Sequence, residues 1–337
     1  MKKDFLSIAD WSAEELLSIL DLSARMKNDP KKFSKALEGK SAALIFEKPS
    51  LRTHVTFEIG LQQLGAHTVY LTNADISLGK RESVYDVAKN IERWVDAVVI
   101  RTFGHKNVDD LAKHAKACIV NALTDFEHPC QAVGDFLTVR EHLGKFQGKK
   151  FAWVGDGNNV CHSLMLFAAK VGMDFVAVTP VGHQPDSSVF QRSREWAAET
   201  MAKVDLSNNP YQAVQDADVV YTDVWVSMGQ EAERDQKMKA FTGFQVNAEL
   251  MRMAKPSAIF MHCLPAHRGE EVTDEVMDSS QSVVFDQAEN RLHTQKAILV
   301  TLLKGKSSEK LHSGRGRRKL AHPGRSARNN RRAARKR

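Results

Sequence analysis

Apolar residues fall into two spacings along this chain. Short runs rich in Val, Ile, Phe and Ala recur at Ala42–Phe46, Thr68–Leu71, Ala97–Arg101, Cys118–Asn121, Phe151–Val154, Phe175–Val178, Val219–Thr222, Ala258–Met261 and Val283–Phe285. Each reads as a strand. Between them lie stretches whose apolar positions recur every three or four residues, at Val84–Trp94, Gln131–Leu143, Asn159–Val171 and Asp186–Met201. These predict helices. An earlier helix has a start signal of its own: Ser12-Ala13-Glu14-Glu15 is a capping box, and Leu16, Leu17, Ile19, Leu20 and Ala24 follow on one broad face. Strands alternating with helices predict an α/β fold built from parallel sheets with crossover helices.

The polar, glycine-flanked segment Gly144–Lys150 marks a boundary. Residues 1–143 and 144–288 then form two doubly wound parallel-sheet domains. Ligands of such sheets sit at the carboxyl ends of the strands. Arg52, Arg101, His128, Asp156, Asp223 and Cys263 all lie at or just past expected strand ends. This places the active site in a cleft between the two domains.

Composition adds limits. The chain has 337 residues, 42% of them hydrophobic and 26% charged, as a folded globular protein has. No apolar run approaches the ~18 residues of a membrane span, and Met1–Leu6 has no signal-peptide character. Cys118, Cys130, Cys161 and Cys263 lack zinc-like spacing and disulfide-framework density. They point to a reducing cytoplasm. The overall charge of +7 misleads: fourteen Lys/Arg and one Glu fall between Lys304 and Arg337, leaving the rest of the chain at −6. Residues 306–337 read as a basic, disordered tail.

Chemistry concentrates in five motifs. In Glu47–Glu58 a strand ends in Ser50-Leu51-Arg52-Thr53 and opens a helix. Free N–H groups and the positive helix end make an anion cradle, and Arg52 adds a planar fork while Ser50 and Thr53 add hydroxyls. A small phosphorylated ligand fits it. In His128-Pro129-Cys130-Gln131, Pro129 starts a helix, and His128 and Gln131 can both polarise a carbonyl oxygen; a capping role for His128 is the plainer alternative. Gly155-Asp156-Gly157-Asn158-Asn159-Val160 starts like a dinucleotide loop but carries Val160 where G-x-G-x-x-G needs glycine. That argues against an NAD-dependent dehydrogenase, and the two asparagines suit a small zwitterion. Asp223, at a strand end, suits a substrate ammonium, and Ser227-Met228-Gly229 follows as a turn in which Met228 is either contact or core filler. Cys263, in His262-Cys263-Leu264-Pro265, is either a buried inert thiol or one whose thiolate accepts a proton from a reacting amine.

Taken together these motifs resemble the transcarbamylase family from about Phe5 to Leu303, and within it the branch that uses ornithine. The family pattern Ser-Thr-Arg-Thr, His-Pro-x-Gln, Asp-x-x-x-Ser-Met-Gly, His-Cys-Leu-Pro occurs here in order. The resemblance implies transfer of the carbamoyl group of carbamoyl phosphate to the δ-amine of L-ornithine, giving L-citrulline and phosphate. It implies phosphate contacts from Ser50, Leu51 (main chain only), Arg52 and Thr53, with Arg101 bridging phosphate and carbonyl oxygen. His128 and Gln131 would hold the carbamoyl end, and Arg291 would reach back to carbamoyl phosphate from a final helix, 289–305, that completes the first domain. Asn159, Asp223, Ser227 and Met228 would bind the α-amino and α-carboxylate groups of ornithine, with Cys263 and the Leu264 carbonyl facing the δ-amine. Cys263, Asp223, His128 and Arg101 thus carry catalysis, with no metal or organic cofactor. The family's catalytic unit is a homotrimer, in which a loop matching Asp75–Ser83 enters a neighbouring site. Ser77 stands there in place of the usual Gln or His, and Lys80 or Arg81 can compensate. The alternative acceptors are putrescine or a modified ornithine. The basic tail implies at most weak, non-specific contact with nucleic acid, since it has no aromatic residues for stacking.

Overall fold

The computed structural model describes residues 4–229 and 231–304; the expected disordered tail lies outside these residues. The first half runs α1 (Ala13–Asn28), β1 (Ser41–Phe46), α2 (Leu51–Gln63), β2 (His67–Thr72), α3 (Asn73–Ile76), α4 (Val84–Ile91), β3 (Ala97–Arg101), α5 (His105–His114), β4 (Cys118–Leu123) and α6 (Pro129–Leu143). The second runs β5 (Lys150–Val154), α7 (Asn159–Val171), β6 (Asp174–Val178), α8 (Ser187–Thr200), β7 (Val204–Ser207), α9 (Pro210–Val214), β8 (Val219–Thr222), α10 (Arg234–Ala240), α11 (Ala248–Met251), β9 (Ile259–His262), α12 (Asp274–Met277) and α13 (Val284–Lys304). The capping box forms as the sequence predicts: Ser12 accepts from Glu15 N, and the Glu15 carboxylate accepts from Ser12 N.

Two parallel sheets result, with strand orders β2-β1-β3-β4 and β7-β6-β5-β8-β9. Both are covered on two faces. In the first, Ala43, Ile45, Val98 and Ile100 pack under α4 and α5, while Ala42, Leu44, Ala97 and Val99 face the opposite core. That opposite core is shared with Phe151, Trp153, Phe175 and Tyr221 of the second sheet. Parallel strands buried on both sides need continuous apolar runs, which is why they were legible in sequence. Phe136 of α6 stacks on Phe167 of α7 with ring centroids 4.1 Å apart. Such a pair contributes about 1 kcal/mol beyond its burial and fastens the first half to the second.

Two expectations change. Val283–Phe285 is not a strand. Val283 N donates to Phe260 O, and the chain then turns into α13, ahead of the expected start at 289. The β-prone triplet is overridden by the helical spacing of Gln287, Asn290, Arg291 and Thr294, which bury one face. The short edge strand β7 carries too few apolar residues to announce itself. α13 packs against α1, α2 and α6. It comes close enough to α6 that a Cβ on Gly134 would lie 3.1 Å from Arg291 Cδ. Among the described residues no helix is long and apolar enough to cross a membrane, and all four cysteines are free.

Candidate active site

Each sheet has one point where the strand order reverses: between β1 and β3 in the first, between β5 and β8 in the second. Loops leaving such a point in opposite directions open a crevice. The two crevices meet in one cleft of about 1,040 Å³, which Ser50, Arg52, Arg101, His128, Gln131, Asn159, Asp223 and Cys263 all line.

On the first side, Ser50 caps α2 and its Oγ accepts from Thr53 N at 3.2 Å. The N–H groups of Leu51 and Arg52 lie in the first turn, where no intrahelical acceptor reaches them. Leu51 itself is 73% exposed. In register across β1 and β3, Phe46 pairs with Arg101, which brings Arg101 beside the cradle. Arg291 arrives from α13, giving Nη2 to Thr53 Oγ1 at 2.8 Å and Nη1 to Gln131 Oε1. Among the described residues none of these three guanidiniums ion-pairs with a carboxylate. Burial lowers the pKa of each, Arg101 to about 10 with Arg291 as the next cause, so all remain cationic near neutrality. Arg101 Nε and Arg291 Nε are buried without a hydrogen-bond partner.

His128 precedes α6 but makes no side-chain cap, so the capping alternative fails. Its ring is buried, its Nδ1 has no partner, and burial followed by Arg291 and Arg101 holds its pKa well below the ordinary histidine value. It is a neutral imidazole. Gln131 is fixed at both ends, since its Nε2 donates to Asp135 Oδ1 at 2.9 Å.

On the second side, Asp223 accepts from three donors: Cys263 Sγ at 2.9 Å, Val224 N at 2.8 Å and Asn158 Nδ2 at 2.9 Å. Burial first, and Asp223 second, raise the Cys263 pKa well above the thiol range. Cys263 is therefore a protonated thiol donating to a carboxylate. Met228 is 45% exposed on the cleft wall and is not core filler. Ser227 and Leu264 also line the cleft. His262 Nδ1 accepts from Leu264 N at 2.8 Å, so its Nε2–H faces Glu271 Oε1 at 3.2 Å. Asp223, His262 and Cys263 place one ligand atom each within 4.8 Å of one another. These bonds already engage all three, and the thiol is protonated.

The glycine-rich loop has a local explanation. A Cβ on Gly157 would sit 2.2 Å from Pro185 N, so glycine is required by the 183–185 backbone. Asn158 Oδ1 accepts from Val160 N and Cys161 N, which uses α7 amides that a pyrophosphate would need. Asn159 lines the cleft with its Nδ2 donating to Thr124 O at 2.6 Å.

Ser77 does not line this cleft. It is left-handed at φ 42° and bonds its Oγ to Asn73 O. Sequence reasoning missed two lining lysines. Lys48 is buried and paired with Asp125, and Lys237 pairs with Asp156 at 2.6 Å. Lys48 flanks the phosphate motif and was a legible cation, whereas Lys237 comes from a helix far along the chain and carries no local signal.

Three guanidiniums face a carboxylate–thiol pair across the mouths of two doubly wound sheets, an arrangement with the charge to receive a small phosphorylated ligand. Comparison with known proteins specifies it. Residues 3–141 match the aspartate/ornithine carbamoyltransferase carbamoyl-P binding domain, and residues 147–302 match that family's Asp/Orn binding domain. The chain is 51% identical over 305 residues to an ornithine carbamoyltransferase of Thermococcus kodakarensis, covering 90% of this chain and 97% of that one. It superposes on the solved ornithine carbamoyltransferase of Pyrococcus furiosus with TM-score 0.87 at 50% identity (90% and 97% covered). The Thermus thermophilus structure gives TM-score 0.81 at 44% identity (90% and 99% covered). The chain belongs to the aspartate/ornithine carbamoyltransferase family.

Proposed function

We propose that this chain transfers the carbamoyl group of carbamoyl phosphate to the δ-amine of L-ornithine, giving L-citrulline and phosphate. The observation that carries this is the gathering of Arg52, Arg101 and Arg291, without carboxylate partners among the described residues, across the cleft from the Asp223–Cys263 pair. Buried cations such as Arg101 and Arg291 without counter-ions are costly, and a dianionic phosphate compensates them. In this reading residues 1–143 with the final helix bind carbamoyl phosphate, and residues 144–288 bind ornithine.

Ser50, the Leu51 N–H, Arg52 and Thr53 grip the phosphate. Arg101 bridges phosphate and carbonyl oxygen, neutral His128 donates to that oxygen, and Gln131, fixed by Arg291, holds the carbamoyl amide. Asn159, Asp223, Ser227 and Met228 hold the amino-acid end of ornithine. A δ-ammonium has a pKa near ~10.4, like lysine, and must lose a proton before attack. Its proton passes to Cys263 Sγ as the thiol gives its own to Asp223 Oδ1. The free amine then attacks the carbonyl carbon, charge builds on the oxygen facing Arg101 and His128, and the C–O bond to phosphate breaks as the amine's second proton passes to the departing phosphate, which leaves as its monohydrogen form. The leaving group needs no further activation, so the chemistry calls for no metal or organic cofactor.

An acceptor panel tests the substrate. Citrulline formation should exceed carbamoylation of putrescine or a modified ornithine, and faster formation of any other product would overturn the choice. Removing residues 306–337 should leave turnover within about 2-fold, since the family match ends at residue 302; a collapse of activity would give the tail a role beyond weak, salt-sensitive nucleic-acid contact. The free cysteines fit a reducing cytoplasm.

The catalytic unit in this reading is a homotrimer. Leu51, Val55 and Ile59, four apart along α2, are 73%, 45% and 39% exposed. That stripe is the apolar face a partner copy would cover, and it begins at the phosphate cradle, where Ser77 of a neighbour would enter. Val55→Glu with Ile59→Glu should give monomers by analytical ultracentrifugation and at least 10-fold less activity. A variant that stays trimeric, or active as a monomer, would refute the assignment.

A further inference from the structure

The segment Thr124–Glu127 leaves β4 of the first sheet but hangs on α7 of the second. Thr124 O accepts from Asn159 Nδ2, and Phe126 O accepts from His162 Nδ1 at 2.8 Å. One step further, His128 N donates to Ser163 Oγ at 3.0 Å. Ser163 has one hydroxyl hydrogen, and it goes to Glu127 Oε2 at 3.0 Å. The Glu127 carboxyl is itself fully buried, accepting also from Ile8 N at 3.2 Å and from Ser7 Oγ. A buried acid thus sits beside His128, outside the cleft lining, tying the N-terminal residues Ser7 and Ile8 to Ser163 of α7.

We propose that Glu127 is a positioning residue for carbamoyl transfer: by fixing the Ser163 hydroxyl it holds the His128 backbone, and so the ring, against the carbonyl oxygen. The inference rests on the role given to His128 above. The physical reason is the exposed weakness of His128: no side-chain cap and no bond at Nδ1 orient its ring, so its place follows its backbone. That backbone is held by a Ser163 lone pair pointing at His128 N, an orientation Glu127 fixes by taking the Ser163 hydrogen. A displacement of about 1 Å at such a group costs about 100-fold in rate.

Steady-state kinetics on the full-length protein test this with four variants. Glu127→Gln keeps an oxygen acceptor and should retain kcat within about 3-fold. Glu127→Leu should lower kcat about 100-fold with both KM values within about 3-fold, and Ser163→Ala should do the same. The double variant should be no worse than Glu127→Leu alone, because both act through one bond. A merely structural role would lower the melting temperature without this split. Folded Glu127→Leu or Ser163→Ala with wild-type kcat, or Glu127→Gln as slow as Glu127→Leu, overturns the proposal. If Glu127→Leu does not fold, Ser163→Ala decides alone, since it leaves the bonds to Ser7 and Ile8 in place. Wild-type protein that makes no citrulline overturns the functional reading itself, and this inference with it.

Discussion

Replacing Arg101 by methionine is expected to lower kcat about 100- to 1000-fold. Arg101 lies buried at the end of β3, with its Nε unpartnered. Its pKa, pulled down to about 10 mainly by burial, still leaves it cationic at neutral pH. In the proposed reaction it faces the oxygen on which charge grows during attack, and loss of one preorganised donor there typically costs about that factor. Methionine fills similar volume, so the fold should survive. Arg101→Lys keeps a charge but not the planar fork and should fall between the two. Citrulline production by Arg101→Met within about 3-fold of wild type would remove Arg101 from the transition state.

Asp223→Asn is expected to cut kcat/KM for ornithine about 1000-fold, within the ~10²–10⁴ range of a lost proton acceptor. The substituted amide is isosteric but has neither the charge for an ammonium nor the capacity to take the Cys263 proton. Binding of carbamoyl phosphate, measured by calorimetry, should change less than about 3-fold, because its contacts lie on the other wall. A second readout follows from the thiol. Asp223 is among the causes that raise the Cys263 pKa, and Arg52 opposes it. Without the Asp223 charge the pKa falls, so alkylation of Cys263 should reach half its maximal rate at lower pH than in wild type. A shift to higher pH, or none, would break the proposed pairing.

Much of this protein was legible in its sequence. Eight of the nine predicted strands form; apart from the exposed edge strand β2 they are largely buried on both faces and must be apolar almost throughout. The Ser12 capping box forms, and Ser50 caps α2 where Ser50-Leu51-Arg52-Thr53 opens it. What misled was local preference: Val283–Phe285 is β-prone in isolation, and only the buried face of the following residues makes it the start of a helix. The state of Cys263 was equally hidden, since a thiol's pKa depends on a carboxylate 40 positions away in sequence and on burial no motif records.

The sequence by itself determined the kinds of groups available: guanidiniums after two strands, an imidazole before a helix, a carboxylate and a thiol after two more strands. Their strand-end positions pointed to a cleft, and only the tertiary structure decided which of them face one another across it. Strand order is set by how crossover helices pack, and it is the reversals at β1/β3 and β5/β8 that open both crevices to the same space. Arg291 shows the difference most clearly. Its helix is separated from Thr53 by 238 positions, and no local pattern announces that α13 folds back over α2 and α6 to place a third cation at the cradle. Chain-distant contacts of this kind arise from burying a shared apolar face, and that energy belongs to the assembled core and not to any one segment.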